Sequence, residues 1–456
     1  MIEIGFYGAA GTVTGSRHMV MSGNERVLID CGMYQGLKKL RLMNWEPFPF
    51  DPAELPFVVL THTHIDHIGM LPRLVRCGFK GAIICTPPTR ELAKLLLMDA
   101  ARLQEEDAAY LNREGLSKHK PARPLFDSDD AEQALAMFTD RPYGEWTELP
   151  ERIGFRFHQA GHLLGSAMVE MKVRDDGATT SILFSGDLGR YDMPLNPDPD
   201  PPPQADYLVL ESTYGDRRHC HESLYDQVER VVKQTMERGG IVVVPSFAIG
   251  RSQQIIYVLN VLMDKGRLPE LPIHLDSPMA VDATKIYRAF QSEHEGRGEL
   301  SYRNVHLHRT VEESKALNGF KGPGILISSS GMLAGGRILH HLKRLLPDRR
   351  HTVAIIGYQA AGTRGRALLE GAPTIRIHRQ EIPVAARVED LCGFSGHADS
   401  DEILRWLGHA GAPPRAVFLV HGEPESSSAL AGTIERRLHW VTRVPRLGEI
   451  VPLPIP

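Results

Sequence analysis

The feature that most constrains this chain is a short polar run, Thr61-His62-Thr63-His64-Ile65-Asp66-His67, directly after the apolar segment Phe57–Leu60. An H-x-H-x-D-H cluster packs nitrogen and oxygen donors too densely for an ordinary solvated loop. In an extended segment residues two apart point the same way, so His62 and His64 can grip one ion. Asp66 and His67 lie past the bend, free to hold a second. Imidazole and carboxylate without thiolate suit zinc better than manganese or iron. Each ion needs three or four protein ligands, so the remaining donors must come from other strand ends. The fold therefore has to gather several strand termini at one edge.

Candidates with that context recur along the chain. His162 stands in Ala160-Gly161-His162 after the strand-like Ile153–Phe157. Asp187 stands in Ser185-Gly186-Asp187 after Ile182–Phe184, and His421 in His421-Gly422-Glu423 after Ala416–Phe418. In each case an apolar strand ends, the donor follows, and glycine lets the backbone approach an ion.

The rest of the chain supplies a mixed α/β frame. Ile2–Tyr7, Val27–Ile29, Phe57–Leu60 and Ile182–Phe184 read as strands, rich in β-branched and aromatic residues and bounded by turn formers. Pro87 to about Asn112 is rich in Ala and Leu and free of internal glycine, which predicts a long helix. The proline-rich Asn196–Gln204 reads as a linker. After it, Tyr207–Leu210, Ile241–Val244, Ile273–Leu275, Gly324–Ser328, Val353–Ile356 and Ala416–Val420 read as strands. Loops and helices alternate with several of them, which implies a parallel, helix-flanked sheet.

Composition excludes several classes. With 456 residues the chain is long enough for two to three domains. No run of ~18 apolar residues is present to span a membrane, and the amino terminus lacks the pattern of a secretory signal. The 5 cysteines are odd in number and widely spaced, with no C-x-x-C pair. That argues against a disulfide framework and for a reduced, cytoplasmic setting. A net charge of -4 advertises no nucleic-acid binder, so a polyanionic substrate would need a local positive field.

Taken in order, His62-x-His64-x-Asp66-His67, His162, Asp187 and His421 resemble the metallo-β-lactamase-fold hydrolases. Glu211 in Glu-Ser-Thr-Tyr-Gly, His397 in Phe-Ser-Gly-His-Ala-Asp and the final His421-Gly-Glu narrow the resemblance to the β-CASP nucleases. Pro245–Arg251, Asp276–Ala280 and Ser329–Met332 are similar to that branch's inserted domain. The nearest likeness is to prokaryotic relatives of the pre-mRNA 3′-end cleavage endonuclease. It implies an αββα sandwich, residues 1–207 and 349–456, interrupted by an inserted β-CASP α/β domain at 208–348. No RNA-binding module is expected before residue 1, unlike some archaeal relatives, and no long carboxy-terminal extension like that of ribonuclease J.

The resemblance also implies roles. One zinc would take His62, His64 and His162; the other Asp66, His67 and His421; Asp187 would bridge, giving two Zn2+ per chain. Two ions about 3.5–4 Å apart can activate a shared water for in-line attack at phosphorus. Asp66 and Glu211 join His397 as the catalytic set, with His397 as general acid to the leaving 3′ oxygen and Glu211 orienting it. The products would be a 5′-phosphate and a 3′-hydroxyl. Histidine at position 421 matches the RNA enzymes of the branch, whose DNA-repair members tend to carry valine, so single-stranded RNA is the expected substrate. A homodimer is an allowed assembly.

Phosphate contacts are expected from Arg251, from Ser328, Ser329 and Ser330 at a strand end opening a helix, and from Arg364 and Arg366 in a glycine-rich loop. Two other functions compete. A small-molecule hydrolase of thioesters, lactones or β-lactams would need only the core, leaving the insertion without a task. A non-catalytic scaffold would be expected to have lost ligands, and none of the expected ligands is missing.

Overall fold

The computed structural model describes residues 1–454 apart from 118, 151, 176, 221, 295–302 and 361. Two compact units emerge: Met1–Asp192, Pro197–Arg218 and His397–Pro456 form the first, and Met193–Asn196 with His219–Gly396 the second.

In the first unit, strands with alternating character build two seven-stranded sheets. One runs in the order Glu449–Leu453, Ile2–Phe6, His18–Ser22, Glu25–Ile29, Phe57–Val59, Ala82–Cys85, Phe138–Asp140. The other runs Thr442–Arg443, Ala416–Val420, Tyr207–Glu211, Ala178–Phe184, Ala167–Asp175, Ile153–Gln159, Thr147–Glu148. The period of two sorts each strand between two cores. Ile182, Phe184 and Val209 join Phe155, Phe157, Ile4, Phe6 and Ile29 between the sheets. Leu183, Leu208 and Leu210 face the other way, onto the helices Ser400–Leu407 and Pro424–Leu438 through Ile403, Trp406 and Leu430. On the opposite face, Leu28, Val58 and Ile83 pack against helices Leu71–Arg76, Pro87–Arg113 and Ser128–Ala136. Each fully buried Leu, Ile or Phe there contributes roughly 1.5–3 kcal/mol. The result is an αββα sandwich.

The second unit carries a parallel six-stranded sheet in the order Val305–Leu307, Ile273–Asp276, Gly324–Ser328, Ile241–Pro245, Thr352–Ile355, Arg387–Asp390. Its central strands, Ile241–Pro245 and Gly324–Ser328, are buried at every residue. Such continuous apolar runs are what a sheet covered on both faces requires. A separate hairpin, Thr374–Ile377 with Gln380–Pro383, anchors Ile375, Ile377 and Ile382 in the same core as Ile338 and Leu342.

Three details differ from the sequence reading. Strand Tyr207–Glu211 pairs with Ala178–Phe184 and Ala416–Val420 in the sandwich, so the chain leaves the first unit after Arg218 rather than at 207/208. The insertion continues past 348 to Gly396, because Thr352–Ile355 and Arg387–Asp390 complete the parallel sheet. The cysteine reading is corrected as well: Cys220 and Cys392 form a disulfide across a sequence separation of 172. Those positions lie near the entry and exit of the inserted unit, where the fold brings distant segments together. Among the described residues, no helix is long and apolar enough to cross a membrane.

Candidate metal centre

The carboxy-terminal ends of Ile153–Gln159, Ala178–Phe184, Tyr207–Glu211 and Ala416–Val420 point the same way, since the first is antiparallel to an antiparallel neighbour and the others pair in parallel. His162, Asp187, Glu211 and His421 therefore emerge at one edge. The Phe57–Val59 strand of the facing sheet delivers His62 and His64, and a single helical turn, Ile65–Ile68, carries Asp66 and His67. That turn fits closely on the Asp30–Gly32 loop: Cys31 N donates to His67 O (2.7 Å) and Ser16 N to Asp66 O (2.8 Å). A Cβ at Gly32 would lie 1.6 Å from Asp66 O, so only glycine fits.

The donors converge in two neighbouring groups, His62, His64, His162 and Asp187, then Asp66, His67 and His421. His64 Nδ1 lies 3.1 Å from His62 Nε2 and 3.2 Å from His162 Nε2. His67 Nε2 lies 3.2 Å from His421 Nε2. Asp187 reaches both groups, with Oδ2 3.3 Å from His62 Nε2 and Oδ1 3.2 Å from His67 Nε2. Neutral imidazoles this close can share at most one proton per pair, and the ring lone pairs left over point into the same space, where a cation would meet them. Buried Asp187 Oδ1 faces His67 Nε2 at 3.2 Å and His421 Nδ1 at 3.7 Å, so it is set among the imidazoles of one group while Oδ2 faces the other. A buried carboxylate oxygen needs positive charge to meet it. The donor set fits metal binding.

Protonation follows the same logic. Burial pushes the His62, His64 and His162 imidazoles down, toward neutral rings that offer lone pairs. Burial would also lower His67, but the Asp187 and Asp30 carboxylates outweigh it and hold His67 well above its ordinary value. Burial works against the charge on Asp66 and Asp187, yet the imidazoles around them, His421 and His67 foremost, hold both carboxyls below the usual range.

His397, the first residue of the segment returning to the sandwich, sits beside this cluster. Its Nδ1 is 3.1 Å from each oxygen of Glu211 and 3.9 Å from Asp187 Oδ2, and its ring centroid is 4.6 Å from that of His162. Glu211 is fully buried and held by Leu188 N at 2.6 Å. His64, Asp66 and His397 are the partly exposed members and give the cluster its open side.

Other functional positions escaped the sequence. Asp30 accepts from Thr61 N (2.8 Å), from Thr61 Oγ1 (2.9 Å to Oδ2) and faces His67 Nδ1 at 2.7 Å. It fixes which nitrogen of His67 points into the site. Thr213 Oγ1 does the same for His421, 3.1 Å from its Nδ1. The signal for Asp30 was present, since Ile29-Asp30-Cys31-Gly32 is another strand end, acid and nearby glycine.

The expected phosphate contacts lie in the second unit and have internal partners. Arg251 is buried and donates to Gln254. Ser328 Oγ donates to Asp276 O (2.9 Å), Ser329 Oγ to Ser277 Oγ (3.1 Å) and Ser330 Oγ to Gly335 O (3.2 Å). Arg364 donates to the carbonyls of Arg376, Leu333 and Ala334. Arg366 pairs with Glu370 at 2.7 Å.

Comparison with known proteins agrees with this architecture. Residues 15–222 match the metallo-beta-lactamase superfamily, 252–368 the Beta-Casp domain, and 381–445 the Zn-dependent metallo-hydrolase RNA specificity domain. The chain is 41% identical to ribonuclease TTHA0252 of Thermus thermophilus, over 98% of this chain and 99% of that one. The chain belongs to the β-CASP metallo-β-lactamase family. This β-CASP protein is also 31% identical to an RNase J-like protein of Methanocaldococcus jannaschii, covering 99% of this chain and 100% of that one. It is 30% identical to the transcription termination factor FttA of the same organism, over 97% of this chain and 70% of the factor.

Proposed function

We propose that this chain is a zinc-dependent ribonuclease that hydrolyses single-stranded RNA to 5′-phosphate and 3′-hydroxyl ends, acting in RNA processing or decay in the cytoplasm. The observation that carries the reading is His397. It sets a protonatable imidazole, clamped by both oxygens of Glu211, beside Asp187 at the open side of the metal-ligand cluster. Similarity to proteins named as ribonucleases supports the choice of RNA.

In this reading His62, His64 and His162 would hold one zinc and Asp66, His67 and His421 the other, with Asp187 available to both. When bound, the ions supply Lewis acidity to a phosphoryl oxygen and activate a water as nucleophile. The chain does the rest. Asp30 and Thr213 hold His67 and His421 in the tautomers that direct Nε2 into the site. Glu211 accepts from His397 Nδ1 and favours the imidazolium, so Nε2 carries the proton to the leaving 3′ oxygen. Such a donor contributes typically 10²–10⁴-fold. No 2′-hydroxyl attack is involved, so no cyclic phosphate should form.

The test sets labelled RNA against a panel of thioesters, lactones and β-lactams, with and without chelator. Chelator-sensitive RNA cleavage with an inert panel supports the ribonuclease. Turnover of a panel member with intact RNA would assign a small-molecule hydrolase instead.

A further inference from the structure

The second unit contains a cavity of about 650 Å³ whose walls include Gly336, Arg337, His340, Arg364, Arg376, His378 and Arg379. No acidic side chain is among them. In a chain of net charge -4 such a one-signed lining stands out.

The arginines divide into two kinds. Arg337 donates to the buried Asp276 (2.8 Å) and to the carbonyls of His308 and Arg309, while Arg364 is tied to three backbone carbonyls. These two are walls. Arg376 and Arg379 are exposed, and neither guanidinium has a hydrogen-bond or ion-pair partner among the described residues. Glu381 stands directly across the hairpin from Arg376, yet it accepts from Thr374 Oγ1 (3.2 Å) instead. Burial and the neighbouring His378 ring, 4.7 Å away, push His340 down, so the arginines carry the charge at neutral pH.

The hairpin mount points the same way. His378 and Arg379 form its two-residue turn with φ of 46° and 66°. Such turns favour Asn and Gly, because a Cβ is strained at positive φ. Here the two turn positions carry an imidazole and a guanidinium instead, and the flanking Ile375, Ile377 and Ile382 lock the hairpin into the core. Opposite it, the backbone N–H groups of Gly336 and Arg337 have no acceptor among the described residues.

We propose that this cavity is a phosphate seat for the RNA strand, gripped by Arg376 and Arg379 with the Gly336–Arg337 backbone. It rests on the RNA reading of the metal centre, but contributes no metal ligand. It should therefore govern affinity and not chemistry.

The experiment compares wild type with Arg376→Ala/Arg379→Ala by anisotropy of labelled single-stranded RNA in chelator, across a salt series. A small phosphodiester, bis(p-nitrophenyl) phosphate, and thermal melting are followed in parallel. The expected result is RNA binding weakened on the order of 10-fold or more, with the salt slope smaller by about 0.7 per lost phosphate contact. Melting and small-diester turnover should not move. Equal RNA affinity and an equal salt slope in both proteins would overturn the seat. So would wild-type protein that binds no RNA. Millimolar mononucleotide displaced by the double substitution, with RNA binding intact, would reassign the cavity to a free nucleotide and likewise overturn it. If the wild type binds RNA through these arginines yet never cleaves it, the ribonuclease reading fails and the seat stands.

Discussion

Replacing Asp30 with asparagine separates a metal-orienting role from a merely structural one. The carboxylate is 1% exposed and serves Thr61 N at 2.8 Å, Thr61 Oγ1 at 2.9 Å and His67 Nδ1 at 2.7 Å. Its φ is 61°, which asparagine tolerates and alanine does not. Asparagine keeps one acceptor for Thr61 N but sets an NH2 donor against His67 Nδ1. The ring must then place its proton on Nε2, the atom that faces Asp187 and His421. Metal binding has to reverse that tautomer. Loss of such an orienting partner typically costs 10–100-fold in metal affinity, or about 1.4–2.8 kcal/mol. Alanine would additionally leave several buried groups unpaired at about 1–3 kcal/mol each. Zinc affinity measured by chelator competition, alongside thermal unfolding, reads both effects. Asp30→Asn should retain one ion at wild-type affinity and lose the other more readily. Both ions held as tightly as in the wild type would refute the orienting role.

Four further outcomes follow from the geometry. Metal analysis of active protein should give two zincs per chain, and zero or one would break the shared-Asp187 arrangement. His397→Ala should lower turnover by ~10²–10⁴ with zinc content intact, and Glu211→Gln by less; zinc lost along with activity would make His397 a ligand. Asp276 is fully buried among His341 (2.6 Å), Ser314 (2.6 Å) and Arg337. Burial raises its carboxyl, but these partners outweigh that and hold it below the ordinary value. Its contribution is therefore present above the unfolded carboxylate pKa of about 3.9 and lost as pH falls through the lower folded value. Asp276→Asn should cost about 3–5 kcal/mol and flatten the acid limb of the unfolding curve; an unchanged limb would contradict this. Finally, the Cys220–Cys392 bridge closes a loop across a separation of 172 residues, so Cys220→Ser should destabilise the inserted unit by up to about 5 kcal/mol. No change in melting would show that the bridge does not constrain the unfolded chain.

The clustered donors are legible because their signal is local: a strand ends, a donor follows, and glycine lies alongside. His397 and Glu211 are legible only through family resemblance, since nothing local says that residues 186 apart will lie side by side. Asp30 obeyed the local rule, but a single acid after a strand carries no weight until His67 is seen against it. The insertion's end was misplaced because Thr352–Ile355 and Arg387–Asp390 read like any other strands, and only their pairing assigns them. An odd cysteine count hid a bridge that the fold makes between distant segments. The arginines show the opposite limit: Arg364 looked available in sequence, and backbone carbonyls claim it.

Metal-dependent hydrolysis of RNA with departure of the 3′ oxygen is read most directly by end analysis of the products from matched single-stranded RNA and DNA, with zinc present and after chelation. RNA cleavage should stop on chelation and leave 5′-phosphate and 3′-hydroxyl ends, with DNA intact. Cleavage that survives chelation, 2′,3′-cyclic phosphate ends, or DNA cut as readily as RNA would contradict it.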